Sequence, residues 1–161
     1  MLSYVVFVLT FIAAIGSGLV AGIFFAFSSF VMAALGRLPS DHGIAAMNSI
    51  NVTVINPGFM LAFFGTGAVC VAAVVASTFR WTTGNGTLVV VAAVLYLVGC
   101  IGVTMVRNVP LNNALAAVSP GTPEAAALWA RYLSEWTLWN TVRAIVPVLS
   151  AILFTVTLIR S

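Results

Sequence analysis

Two arginines and a set of asparagines are the residues of this chain best suited to chemistry. Arg107 opens the string R-N-V-P-L-N-N (Arg107 to Asn113) and Arg143 closes W-T-L-W-N-T-V-R (Trp136 to Arg143), each where an apolar stretch meets a polar, aromatic-rich loop. With six basic and three acidic residues in 161, cations beside Asn108, Asn112, Asn113 and Asn140 are not background scatter. An ionisable group at membrane depth is a functional-site hypothesis by default. A guanidinium stays cationic and presents a planar fork of donors, an asparagine both donates and accepts, and an indole offers a stacking face. Together they bind and polarise a flat, oxygenated molecule. Simpler roles stay open for each. Trp129, Tyr132, Trp136 and Trp139 suit an interfacial aromatic belt, and the arginines can snorkel to headgroups. Asn108, Asn112 and Asn113 beside Pro110 suit turn chemistry, and Asn48, Asn51 and Asn56 can cap the span after Pro57. The functional reading rests on the joint pattern, in which Arg and Asn converge from both edges of one loop.

The inventory excludes several other chemistries. One histidine, no acid within the apolar stretches and two widely separated cysteines leave no set of three or four ligands for a metal or haem, so no metal and no cofactor are expected. The missing membrane carboxylate also counts against proton-coupled export. A net charge of +3, dispersed and without lysine, gives no nucleic-acid surface. Cys70 and Cys100 fall in separate apolar stretches and are expected as buried, unpaired thiols.

The elements that must position these groups follow from composition. With 62% hydrophobic and 6% charged residues, the chain lies far from soluble proteins, which carry about 25% charge. Continuous apolar runs at Leu2 to Leu35, Gly58 to Phe79, Leu88 to Val106 and a last one ending at Ile159 each supply the roughly 20 residues of a membrane helix. The expected fold is all-α: a single polytopic membrane domain over 1–161, built as a four-helix transmembrane bundle. No positive charge precedes the first run, and it is far longer than a signal-peptide core, so it is expected to be retained. At about 1.5 Å per residue it would span roughly 50 Å and overhang the bilayer. Its Ala14, Gly18, Gly22 and Ala26 form a small-residue stripe, expected to pack inside the bundle rather than at a dimer seam.

The last run is short, so its crossing must begin near Asn140 and places Arg143 about one turn inside the border. Thr122 as N-cap, Pro123 at the first helical position and Glu124 near the positive end predict a long loop-side helix that continues into the fourth span, with a kink at Pro147. Trp129, Leu133, Trp136, Asn140 and Arg143 then share one face. Four crossings put the loops Gly36 to Pro57 and Asn108 to Trp139 on one side, with Arg37, Arg107, Arg131 and Arg143 against Arg80 and Arg160 on the other. That excess favours cytoplasmic loops, until Arg107 and Arg143 are set aside for function, when the counts become equal. The link Arg80 to Thr87, with its T-G-N-G turn signal, reads as a connector.

Four strings, A-G-I-F-F-A-F-S-S-F-V-M (Ala21 to Met32), G-I-A-A-M-N-S-I-N-V-T-V-I-N-P (Gly43 to Pro57), R-N-V-P-L-N-N-A-L (Arg107 to Leu115) and W-x-x-Y-L-x-x-W-T-x-W-N-x-V-R (Trp129 to Arg143), carry a resemblance through nearly the whole chain. It resembles the anthrone oxygenase-like integral membrane proteins. The resemblance implies a four-helix membrane protein, a bacterial inner (plasma) membrane setting and, as in the fungal polyketide-pathway members, oxidation of an anthrone to an anthraquinone by O2 without metal or flavin. The partners it implies are an apolar aromatic small molecule, O2 and membrane lipids, with a homo-oligomer open. Members often read W-N-H-V-R, whereas this chain has Thr141 in place of that histidine, which leaves His42 as its lone imidazole. The expected machinery is Arg143, Arg107 and Asn140 as catalytic groups, with Asn108, Asn112 and Asn51 orienting the substrate and Trp136 and Trp139 stacking on it. Two rivals use the same features: a binding or transport protein for quinones, lipids or other apolar metabolites, and a structural membrane subunit that packs through the glycine stripe.

Overall fold

The computed structural model describes residues 2–78 and 85–160, and of these the side chains from Tyr4 onward. Most of the expected connector, including Arg80, lies outside the described residues. Helix α1 comprises Leu2–Ala26, a π-helical turn Phe27–Val31 and Met32–Leu35. Helix α2 is Ser40–Thr53. Helix α3 joins Pro57–Met60, a π-turn Leu61–Gly65 and Thr66–Thr78. Helix α4 runs through Asn85–Val94, the π-helical segments Leu95–Gly102 and Thr104–Asn108, and Val109–Ala117. Helix α5 is Pro123–Ile159. No strand occurs among the described residues, and α1, α3, α4 and α5 are each long and apolar enough to cross a membrane. The protein is an all-α, polytopic integral membrane protein.

Local chemistry fixes the helix ends. Thr122 Oγ1 accepts from the Ala125 N–H at 3.2 Å, with Pro123 opening α5 as expected. Asn56 Oδ1 accepts from the Phe59 N–H at 3.1 Å and starts α3 at Pro57. The string from Arg107 to Asn113, expected as loop, is helical instead, as is most of Gly36 to Pro57. Pro110 has no N–H and its ring crowds the carbonyl four residues back. The wider i→i+5 turn at Thr104–Asn108 opens the helix just before it, so α4 continues to Ala117.

Each spanning helix packs on its neighbours in the order α1, α3, α4, α5 and back to α1, an up-down-up-down bundle in which α1 and α5 share the longest interface. Its membrane core holds Val20, Phe24, Phe63, Tyr96, Cys100 and Phe154. A second core lies at the loop-side end, where α2 packs on α5, α4 and the end of α1 through Ile44, Met47, Leu115, Trp129, Tyr132 and Trp136. Gly43 makes this docking possible, since a Cβ there would lie 2.6 Å from the Trp129 ring.

Two expectations about surfaces are corrected. Gly18 and Gly22 are exposed, and a Cβ on either would meet nothing within 4 Å, so the two glycines of the stripe do not pack inside the bundle, whereas Ala14 packs against the membrane core. The inner face of α1 carries Ala13, Ser17, Val20, Ala21 and Phe24, roughly a residue's rotation away, and the glycines line an outer groove between α1 and α5. The belt reading fails for Trp129, Tyr132 and Trp136, which are buried in the loop-side core. Pro147 stays within a continuous α5. Its missing N–H releases the Arg143 carbonyl, which the Cys100 thiol approaches at 3.9 Å. Cys70 and Cys100 are both free and buried.

Candidate functional site: a loop-side aromatic cavity

A cavity of about 240 Å³ lies between the membrane core and the loop-side core, walled by all five helices. Most of its wall is apolar: Phe24 and Phe27 of α1, Met47 and Ile50 of α2, Phe59 and Phe63 of α3. The π-turns of α1, α3 and α4 supply Phe27, Phe63, Phe64, Thr104 and Met105 to it, so the cavity sits at the level where three helices are locally widened. Its polar groups are few, namely Arg143, Thr104, Asn112, Asn51 and the indole of Trp136.

Arg143 dominates. It is 5% exposed, and its guanidinium carbon stands 4.2 Å from the centre of the Phe24 ring and 4.9 Å from that of Trp136. Nη1 donates to Thr104 Oγ1 at 3.1 Å, while Nε has no protein partner. Asp41, Glu124 and Glu135 are the chain's acids, and none pairs with it. Ring faces offset part of the cost of burying this cation, about 1–2 kcal/mol each when desolvated. A buried charge normally needs a partner and further hydrogen bonds as well, and here Thr104 is the one protein group that accepts from the guanidinium among the described residues.

Asn112 is set by two donors. Tyr132 Oη and Trp136 Nε1 both donate to its Oδ1 at 2.8 Å. Trp129, Tyr132 and Trp136 stack in series on α5, with centroids 5.7 and 5.8 Å apart, and Phe27 leans on Trp136 at 5.8 Å. This ladder holds the indole of Trp136 as a wall that reaches from Asn112 to Arg143. Asn51 of α2 joins the same end, its Nδ2 without a partner.

The other expected residues stand elsewhere. Asn108 and Asn140 are wholly buried, outside the cavity wall, and tie helices together. Asn108 Nδ2 donates to the Trp136 carbonyl at 3.1 Å, and Asn140 Nδ2 donates to the Phe24 carbonyl and to Ser28 Oγ, both at 2.7 Å. They position Trp136 and Phe24, the two rings against Arg143. Arg107 is exposed, with its guanidinium 4.6 Å from the half-buried Trp139 ring, and neither residue lines the cavity. His42 is exposed beside Asp41. Thr141 donates to the Thr137 carbonyl, stands 2.9 Å from Ser28 Oγ and faces the outer groove. Sequence reasoning passed over Thr104, Phe24, Phe27 and Phe63. A signal for Thr104 was available, since it lies one helical turn before Asn108 on the same helix.

Against this geometry, a family model described as anthrone oxygenase matches residues 59–153. The chain belongs to the anthrone oxygenase family. No curated protein and no solved structure matches it. The matched segment contains α4 and most of α3 and α5, and so most of the polar wall: Thr104, Asn112, Trp136 and Arg143. Family membership and four membrane-crossing helices make this a membrane protein of an oxygenase family.

Proposed function

We propose that the cavity is the reaction chamber of a cofactor-independent oxygenase that acts with O2 on an apolar, anthrone- or phenol-like aromatic. The observation that carries this reading is Arg143, a cation buried between two rings, without a carboxylate partner and open to an aromatic-walled cavity. A substrate that loses a proton to become an enolate or phenolate supplies the missing anion. Because the guanidinium already stands there in a water-poor site, the charge is stabilised without reorganisation.

No imidazole or carboxylate lines the cavity, so ionisation must come from the acidity of the substrate, increased by the cation. The electron-rich enolate passes one electron to O2, the carbon radical and superoxide combine, and the resulting peroxide loses water. For an anthrone, C14H10O and O2 become C14H8O2 and H2O: one oxygen atom forms the new carbonyl and the other leaves as water. Phe24, Phe27 and Trp136 would hold the ring planar, Asn112 and Asn51 would orient its oxygens, and Asn108 and Asn140 act as positioning residues.

The test is oxygen uptake with an anthrone, after chelation of adventitious metal, by the protein folded in detergent. Arg143→Ala and Arg143→Lys should each lower kcat/KM by about 100-fold or more, since lysine keeps the charge but loses the planar fork. Wild-type rates in both variants would remove Arg143 from the chemistry.

A further inference from the structure

Helices α3 and α4 do not stay together along their length. Thr66–Thr78 of α3 packs closely on Asn85–Val94 of α4, and the contact thins at Leu95–Gly102. Gly67 is a tight point between them, since a Cβ there would lie 2.7 Å from Ile101 Cδ1. Just on its loop side, Tyr96 Oη of α4 donates to the Phe63 carbonyl at 2.9 Å and ties the π-turn of α3 in place. Beyond that bond the helices part, and Leu61–Gly65 has next to no contact with Thr104–Asn108. The result is a wedge-shaped opening whose sill is the bond between Tyr96 and Phe63.

This opening leads into the cavity. Phe63 and Phe64 of α3 and Thr104 and Met105 of α4 belong to the cavity wall, and of these Phe64 and Met105 are also 48% and 54% exposed. Leu61 and Val106 beside them are more exposed still, and both are apolar. Arg107, next after Val106, marks the polar border, which puts the lips of the opening at hydrocarbon depth. The loop-side end of the cavity is covered by α2, whose Ile44 and Met47 bury against Leu115, Tyr132 and Trp136.

We propose that the cavity takes its ligand from the bilayer rather than from water, through the opening between α3 and α4, with Phe64 and Met105 as the side chains that a flat apolar molecule must pass. A solute dissolved in hydrocarbon reaches the site without leaving apolar surroundings, whereas an ion or a well-hydrated molecule would first have to shed its water. Methionine suits such a doorway, being unbranched and flexible. The route is independent of what happens inside, so it stands or falls separately from the oxygenase reading, and its test needs no turnover.

Thr104→Cys places a thiol just inside the opening, in a side chain of nearly the same size. Cys70 and Cys100 are wholly buried, so the wild-type chain serves as the blank. The full chain in phosphatidylcholine vesicles is treated with N-phenylmaleimide, which is flat and lipid-soluble, or with 2-sulfonatoethyl methanethiosulfonate, which is anionic and present in the water on both faces. The Arg143 cation would attract the sulfonate, so failure of that reagent reports the lack of an aqueous route. N-phenylmaleimide should label folded Thr104→Cys and the sulfonate should not, at concentrations at which both label the unfolded chain. Adding Met105→Trp should narrow the opening and slow N-phenylmaleimide by about tenfold, and adding Phe64→Ala should widen it and raise the rate. Val91→Trp, on the exposed face of α4 near its other end, should change nothing. Labelling by the sulfonate as fast as by N-phenylmaleimide overturns the proposal, as does no labelling by either reagent in protein that stays monodisperse. An N-phenylmaleimide rate that neither Met105→Trp nor Phe64→Ala alters, or that Val91→Trp lowers equally, also overturns it.

Discussion

Arg107 and Arg143 look alike in the sequence, each beside asparagine and tryptophan at the edge of an apolar run, yet their surroundings differ completely. Arg143 is enclosed by Phe24, Trp136 and Thr104, whereas Arg107 lies on the surface over Trp139. An exposed cation–π pair contributes only about 0.5–1 kcal/mol. Arg107→Ala should therefore leave the affinity for a cavity ligand within about twofold of wild type and lower stability by less than about 1 kcal/mol, measured by equilibrium dialysis and thermal unfolding in detergent. A tenfold loss of affinity would return Arg107 to the site. Spacing placed Trp136, Asn140 and Arg143 on one face, and all three are buried there. What spacing could not tell is which of them meets a cavity and which meets backbone. Asn140 satisfies the Phe24 carbonyl and Asn112 accepts from two ring donors, and both are simply asparagines on inner faces.

At the scale of elements, α5 was legible almost to the residue, because Thr122, Pro123 and Glu124 form an N-terminal signature and no breaker follows until Pro147. The end of α4 was not. Asn108, Pro110, Asn112 and Asn113 have the composition of a turn, and the π-helical segment that absorbs the proline has no sequence signature of its own. The docking of α2 was also hidden, since it depends on the missing side chain of Gly43 against a rigid indole. Gly43→Ala should push α2 off Trp129, costing about 1–3 kcal/mol by overpacking, and should loosen the cavity wall that Met47, Ile50 and Asn51 supply. A lowered unfolding temperature together with weaker ligand binding is the expected result. Unchanged values for both would mean that α2 adjusts freely and does not shape the site.

For the whole molecule, four spans and membrane insertion followed from composition alone, because hydrocarbon leaves a continuous apolar chain no alternative to helices. The division into two stacked cores did not. Trp129, Tyr132 and Trp136 have the amphipathic chemistry of an interfacial belt, and only the presence of α2 on their outer side turns them inward. With Arg143 enclosed, Arg37, Arg107 and Arg131 remain as loop-side charges in the sequence against Arg80 and Arg160, an excess of one, which assigns no side of the membrane to the loops.

A π-turn is an α-helix with one residue too many, and three of the four spans carry that surplus at the level of the cavity. The site can thus be seen as the product of small insertions into a plain bundle, each absorbed in one widened turn so that the helix beyond it keeps its facing. Removal of the lipid-facing Val106 should close that turn to an ordinary α-helix, keep Asn108, Asn112 and Leu115 in register and displace the cavity wall that Thr104 and Met105 form. The protein lacking Val106 is expected to keep its helical circular dichroism and remain monodisperse in detergent while losing cavity binding. Retained binding would show that the surplus residue is dispensable.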